Sequence, residues 1–173
     1  MRIVSAALRY VNEGDPENDK WFNTSTIYGT AIGGFQALGL LLRVAPEKLS
    51  AISLSAWSKW IPILLKYPYG ESGRLNLQPL LIQAAYSRTP GEIIARLEQA
   101  IDSENDSNGY LFVIHKMDLC WDERLGAALL AKAREPHLKQ PVVRELLQRL
   151  LEHNVTGSRE LAKSFITVPP PDS

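Results

Sequence analysis

The sequence predicts an all-α fold built from consecutive antiparallel helix pairs. Three observations predict it. Apolar residues recur at spacings of three and four along most of the 173-residue chain. Polar turns with Gly or Pro interrupt that pattern at short intervals. Glycine-punctuated strand pairs are absent. Short connections make successive helices antiparallel neighbours.

The elements follow in order. Arg2–Val11 reads as a helix that ends at the polar turn Asn12-Glu13-Gly14-Asp15-Pro16. Thr24 or Ser25 is expected to cap the next helix, whose stripe is Ile27, Ala31, Phe35, Leu38 and Leu42. Gly29, Gly33, Gly34 and Gly39 weaken it by up to about 1 kcal/mol each relative to Ala, and let a neighbour approach closely. Pro46 starts a short turn, and Ser55 is expected to cap a helix through Lys66 with Pro62 inside it. After the loop Tyr67–Gly73, Asn76 opens a helix carrying Leu77, Leu80, Leu81, Ala84 and Ala85.

Thr89-Pro90-Gly91-Glu92 is the clearest start signal: a capping Thr, a Pro suited to the first helical position, and a Glu that completes a capping box. Ile93, Ile94, Leu97 and Ile101 follow on one face, and Asp102–Gly109 reads as a polar turn. Tyr110-Leu111-Phe112-Val113-Ile114 is strand-like by composition, but Tyr110, Ile114, Met117 and Trp121 continue at helical spacing, so helix is expected. Asp122 and Glu123 favour the positive end of a helix that runs to about Arg134. Pro141 opens a helix with the stripe Val142, Val143, Leu146, Leu147, Leu150 and Leu151, and a last helix covers about Ser158–Ile166. Pro169-Pro170-Pro171 cannot continue it, so the expected organisation is one helical domain, 1–166, and a disordered tail, 167–173. The helix pair recurs without a crisp period, as in divergent HEAT-like repeats, so the expected architecture is a HEAT-like α-α superhelix; a closed helical bundle is the alternative.

Composition narrows the functional classes. With 45% hydrophobic residues the chain has enough apolar surface to fold. Nineteen basic and nineteen acidic residues leave no net field to draw it onto nucleic acid or an anionic membrane. One cysteine, Cys120, excludes an internal disulfide and fits a cytoplasmic location. No apolar run approaches the roughly 20 residues that span a bilayer. The helical pattern opens at Arg2 with no capping residue before it, as expected for part of a longer polypeptide.

Motifs that carry chemistry are absent or incomplete. Gly29-Thr30-Ala31-Ile32-Gly33-Gly34-Phe35 resembles a phosphate loop but lacks the Lys and Ser/Thr that must follow. Asp102–Gly109 resembles a calcium loop, yet counting from Asp102 the sixth position is Ser107 and the twelfth Val113, not Gly and Glu. Glu13, Asp15, Glu17 and Asp19 read as a solvated acidic turn. His115 and Cys120 are too few for zinc, and His137 and His153 lie far off in sequence. Trp57 and Trp60, with Tyr67 and Tyr69, would form either an aromatic platform or, in the favoured reading, core. Lys132, Arg134, Lys139, Arg144 and Arg149, diluted by Glu135 and Glu145, read as a solvated face. The expectation is therefore no catalytic residue, no cofactor and no metal, with binding residues not specified.

Two stretches and one between them carry a family resemblance. Asp15-Pro16-Glu17-Asn18-Asp19-Lys20-Trp21 precedes Thr26-Ile27-Tyr28-Gly29, and Cys120-Trp121-Asp122-Glu123-Arg124-Leu125 precedes Ala128-Leu129-Leu130-Ala131-Lys132. Trp57-Ser58-Lys59-Trp60 lies between them. Together they resemble the C-terminal helical region of large bacterial NACHT-type NTPases of the STAND class, over about Arg2–Ile166. The resemblance implies a sensor or scaffold that recognises a protein or other trigger and signals to an attached ATPase, often in anti-phage defence. It implies no ATPase residue here, because no nucleotide motif is present. A stand-alone helical adaptor is the first alternative. An enzyme using His115 with Asp118 or Glu123 is the second.

Overall fold

The structure is a computed structural model that describes residues 2–22, 24, 26–67, 77–107 and 109–166, with the backbone alone at Asp19. Among the described residues the regular elements are helices, and no strand occurs. The α-helices are α1 (Arg2–Glu13), α2 (Asn18–Trp21), α3 (Gly29–Val44), α4 (Leu54–Lys66), α5 (Gln78–Arg88), α6 (Pro90–Ser107), α7 (Glu123–Lys132), α8 (Gln140–Glu152) and α9 (Ser158–Ser164). Two 3₁₀ segments, Pro46–Ala51 and Val113–Met117, complete them. The all-α class is thus as expected. No helix among the described residues is long and apolar enough to cross a membrane. The chain forms two compact units, Met1–Ala100 with Val113–Cys120, and Ile101–Phe112 with Trp121–Ser173.

The first unit is organised around α4. Trp57, Trp60, Ile61, Ile63 and Leu64 on this helix are fully buried, and Pro62 is buried with them. The glycines of α3 act as expected at one position. A Cβ on Gly34 would stand 2.0 Å from the Trp60 ring, so only glycine admits that indole. The buried stripe of α3 is accordingly Ala31, Gly34, Leu38 and Leu41, and Phe35 instead stacks on Tyr67 at 4.1 Å. Trp60 Nε1 donates to Val11 O at 2.8 Å, and Lys59 Nζ donates to Asn12 O and Gly14 O at 3.1 and 2.7 Å. The end of α4 is closed by side chains. Gln78 Nε2 donates to Leu64 O and Tyr67 O, and the buried Lys116 donates to Leu65 O and Tyr67 O. These donors satisfy carbonyls that a helix leaves without intrahelical partners.

At several positions the local structure differs from expectation. Thr24 does not cap α3, which starts at Gly29; its hydroxyl donates to Trp21 O and Thr26 O at the end of the single turn α2. Ser25, Tyr69, Asn76 and the 167–173 tail lie outside the described residues. Ser53, not Ser55, caps α4: it is extended, its Oγ accepts from Ala56 N at 3.1 Å, and Asn12 Oδ1 anchors its own amide at 3.0 Å. Thr89 precedes α6 and Pro90 is its first residue, as expected, but the Thr89 hydroxyl donates back to Ala85 O at 3.1 Å instead of meeting a first-turn amide. Tyr110–Trp121 is not an α-helix. Only Val113–Met117 is helical, as a 3₁₀ turn with Val113, Ile114, Lys116 and Met117 buried, while Tyr110 is exposed.

In the second unit, Leu125 and Leu129 of α7 and Val142, Leu146 and Leu150 of α8 are buried. Asp122 caps α7 as expected, its carboxylate accepting from Leu125 N at 2.8 Å. Gly126 gives Val155 room: a Cβ there would stand 2.9 Å from a Val155 methyl. Gly157, at φ 88°, supplies the left-handed turn that starts α9. The expected polar turn Asp102–Gly109 is instead helical as far as Ser107. Asn105 extends the buried stripe Ile93, Leu97, Ile101 by one more step of four.

A candidate interaction surface on the second unit

The residues from Asp102 to His137 build a polar latch. Lys132, at the end of α7, is only 5% exposed, and its ammonium stands 2.7 Å from both Asp102 Oδ1 and Glu135 Oε2. His137 Nε2 lies 3.1 Å from the same Asp102 oxygen. Asn105 Oδ1 accepts from Lys139 N at 2.7 Å, and its amide donates to Asp106 Oδ1 at 3.2 Å and reaches His137 O at 3.5 Å. The loop from Ala133 to Lys139 is therefore tied to the last turns of α6 at several points. This explains why α6 continues through a run of polar residues: Asp102 and Asn105 have partners that only the folded chain provides.

Electrostatics follow from this geometry. Partial burial opposes ionisation of Asp102, but hydrogen bonds from Lys132 and His137 outweigh it and hold the carboxyl below its ordinary value of 3.8. Burial likewise opposes the Lys132 charge, and the bonds to Asp102 and Glu135 outweigh it, raising Lys132 above 10.5. Ligand atoms of Asp102, Glu135 and His137 lie within 4.8 Å of one another, a spacing that suits a metal ion. The cation that these carboxylates hold is the Lys132 ammonium. The cluster is thus a structural ion-pair network in this fold.

Beside the latch lies a trough of about 860 Å³. One wall is the loop with Pro136 and Leu138, and the other is α8 with Val143, Leu147 and Leu151. Phe165, after α9, also lines it. The sequence places six apolar residues on the α8 stripe. Val142, Val143, Leu146 and Leu150 are buried, whereas Leu147 is half-buried and Leu151 is 37% exposed. The stripe is wider than the core requires, and its excess faces the trough.

The other residues singled out from sequence do not build a site together. Gly29–Phe35 forms the first two turns of α3 and follows no strand among the described residues, so it is not the strand-to-helix loop of a phosphate-binding motif. In the acidic turn, Glu13 pairs with Arg9, Glu17 with Lys20, and Asp15 Oδ1 accepts from Glu17 N. Trp57 and Trp60 are core, as the favoured reading expects. Cys120 is buried, and His115 is half-buried on the Val113–Met117 turn; neither lines the trough. His153 stacks on Trp121 at 4.0 Å. The basic segment is not one solvated face. Lys132 is buried in the latch and Arg149 pairs with Glu152, while Arg134 and Arg144 are exposed at the trough.

Sequence reasoning missed both the latch and the trough. Asp102 and Asn105, three apart on α6, and Lys132 and Glu135, three apart across the end of α7, were the available signal. Compared with family models, with curated proteins and with solved structures, the chain matches none.

Proposed function

We propose that this chain is a non-catalytic recognition module, of the kind found as the C-terminal sensor region of NACHT-type signalling or anti-phage defence NTPases. The observation that carries the recognition reading is the apolar trough along α8, a preformed concave face walled by a helix and a latched loop. Apolar clefts of this size with a few polar groups at the rim are the usual form of a recognition site. The sensor reading rests on the sequence resemblance. Its signature residues serve packing and capping here: Trp21, Trp57 and Trp60 are buried, and Asp122 caps α7. That is the role expected of scaffold residues in a binding module.

Two measurements test the proposal. Immunoblotting of source cells should show a polypeptide far above 19.3 kDa, which carries the attached NTPase; a band at 19.3 kDa would remove the sensor reading and leave an adaptor. Co-purification of the native protein should yield one stoichiometric partner that is lost with Leu147→Asp/Leu151→Asp. Absence of any partner in the wild type would sink the recognition reading.

A further inference from the structure

We propose that the trough takes an acidic amphipathic helix, a deepening that rests on the recognition reading above. Four ionisable side chains line the trough: Arg134, Glu135, Arg144 and Glu152. Both carboxylates are already engaged inside the unit. Glu135 bonds Lys132 at 2.7 Å, and Glu152 bonds Arg149 at 2.8 Å and Gln148 at 2.9 Å. A hydrogen bond from Gln148 and the Arg149 charge also hold Glu152 below its ordinary value, as an engaged carboxylate should be. Arg134 and Arg144 are exposed and have neither a hydrogen bond nor an ion pair among the described residues. The trough therefore presents two uncommitted guanidinium groups beside an apolar floor, and each can hold a carboxylate in a two-point bond.

The shape selects a helix. The lining residues of α8 run from Gln140 to Glu152, a wall of about 18 Å at the α-helical rise, which is roughly three turns of a partner helix. No strand exists among the described residues to offer an edge for an extended peptide. Aliphatic side chains dominate the floor, with Phe165 the one aromatic ring among the lining residues, so stacked bases or proline rings find no aromatic platform. Aliphatic anchors at helical spacing, flanked by Glu or Asp, match both the floor and the rim.

The test uses the whole chain and a designed, fluorescein-labelled 15-residue helix with leucines on one face and glutamates flanking them. Its counterparts carry lysine for glutamate, or the same residues scrambled. Fluorescence anisotropy should show the glutamate helix binding on the order of 10 µM, about tenfold tighter than the lysine helix. Arg134→Glu/Arg144→Glu should reverse that preference, and Leu151→Asp should weaken both helices about tenfold while circular dichroism stays unchanged. Equal binding of glutamate and lysine helices would overturn the acidic assignment and leave the recognition surface standing. Failure of all three peptides would overturn the proposal, as would a concentration-dependent dimer that Leu151→Asp abolishes, which would assign the trough to a second copy. Preference for a 20-nucleotide single-stranded RNA over the glutamate helix would overturn it as well. The recognition reading fails separately, when the native chain retains no partner whatever the peptides do.

Discussion

In the first unit three tryptophans, Trp21, Trp57 and Trp60, are fully buried; in the second the sole tryptophan is Trp121, half-buried against His153. The first unit holds its helices by close aromatic packing over Gly34, with indole and lysine donors on backbone carbonyls. The second has smaller aliphatic contacts and adds a latch of Asp102, Asn105, Lys132 and His137. The difference bears on function. Where bulky rings fill the core, the apolar side chains of α4 from Ala56 to Leu65 are consumed in packing, and Leu54 at its start is exposed. Where a polar latch holds the loop, part of the α8 apolar stripe is left facing solvent, and that surplus is the trough.

The largest losses of stability are expected in the first unit. Trp60→Ala removes a buried indole and its bond to Val11 O, and should cost about 3–5 kcal/mol by urea denaturation. Gly34→Ala forces a methyl into the same ring and should cost about 1–3 kcal/mol by overpacking. Both changes should leave hydrogen exchange in the 133–139 loop less affected than exchange in α1 and α3.

The reciprocal change is Asn105→Leu. It strands the Lys139 amide and should cost about 1–3 kcal/mol. Amide exchange should accelerate across 133–139, with α3 and α4 little changed. Equal acceleration in both units would show that the latch is not a local device.

The stability of the latch should depend on pH. The lowered Asp102 pKa contributes stability above the unfolded value, near 3.8, which is lost as pH falls through the lower folded value. The raised Lys132 pKa contributes stability below 10.5, lost as pH rises through the higher folded value. Between about pH 5 and 9 both contributions are present. With Asp102 41% exposed, Lys132→Met should cost only about 1 kcal/mol at pH 7. The difference from wild type should shrink as pH falls through the lowered Asp102 value. A pH-independent difference would assign the loss to packing. The smallest effect on stability is expected from Leu151→Asp, within about 0.5 kcal/mol, because that side chain already faces solvent.

Sequence alone determined the helical class, because periodicity and Pro and Gly signals are local properties of the chain. It determined the start of α7 at Asp122 and of α8 around Pro141, where the capping carboxylate or the fixed proline ring acts within one turn. It also assigned Trp57 and Trp60 to the core, since apolar surface at helical spacing is buried whatever the partner. Tertiary structure decided the rest. Asp102–Ser107 is helical because Lys132, Lys139 and His137 meet its side chains, partners about 30 residues away that no local pattern encodes. Ser53 displaced Ser55 as a cap because Asn12 reaches its amide from α1. The surface was hidden for the same reason: the α8 stripe reads as six apolar residues, and only packing divides it into core and trough.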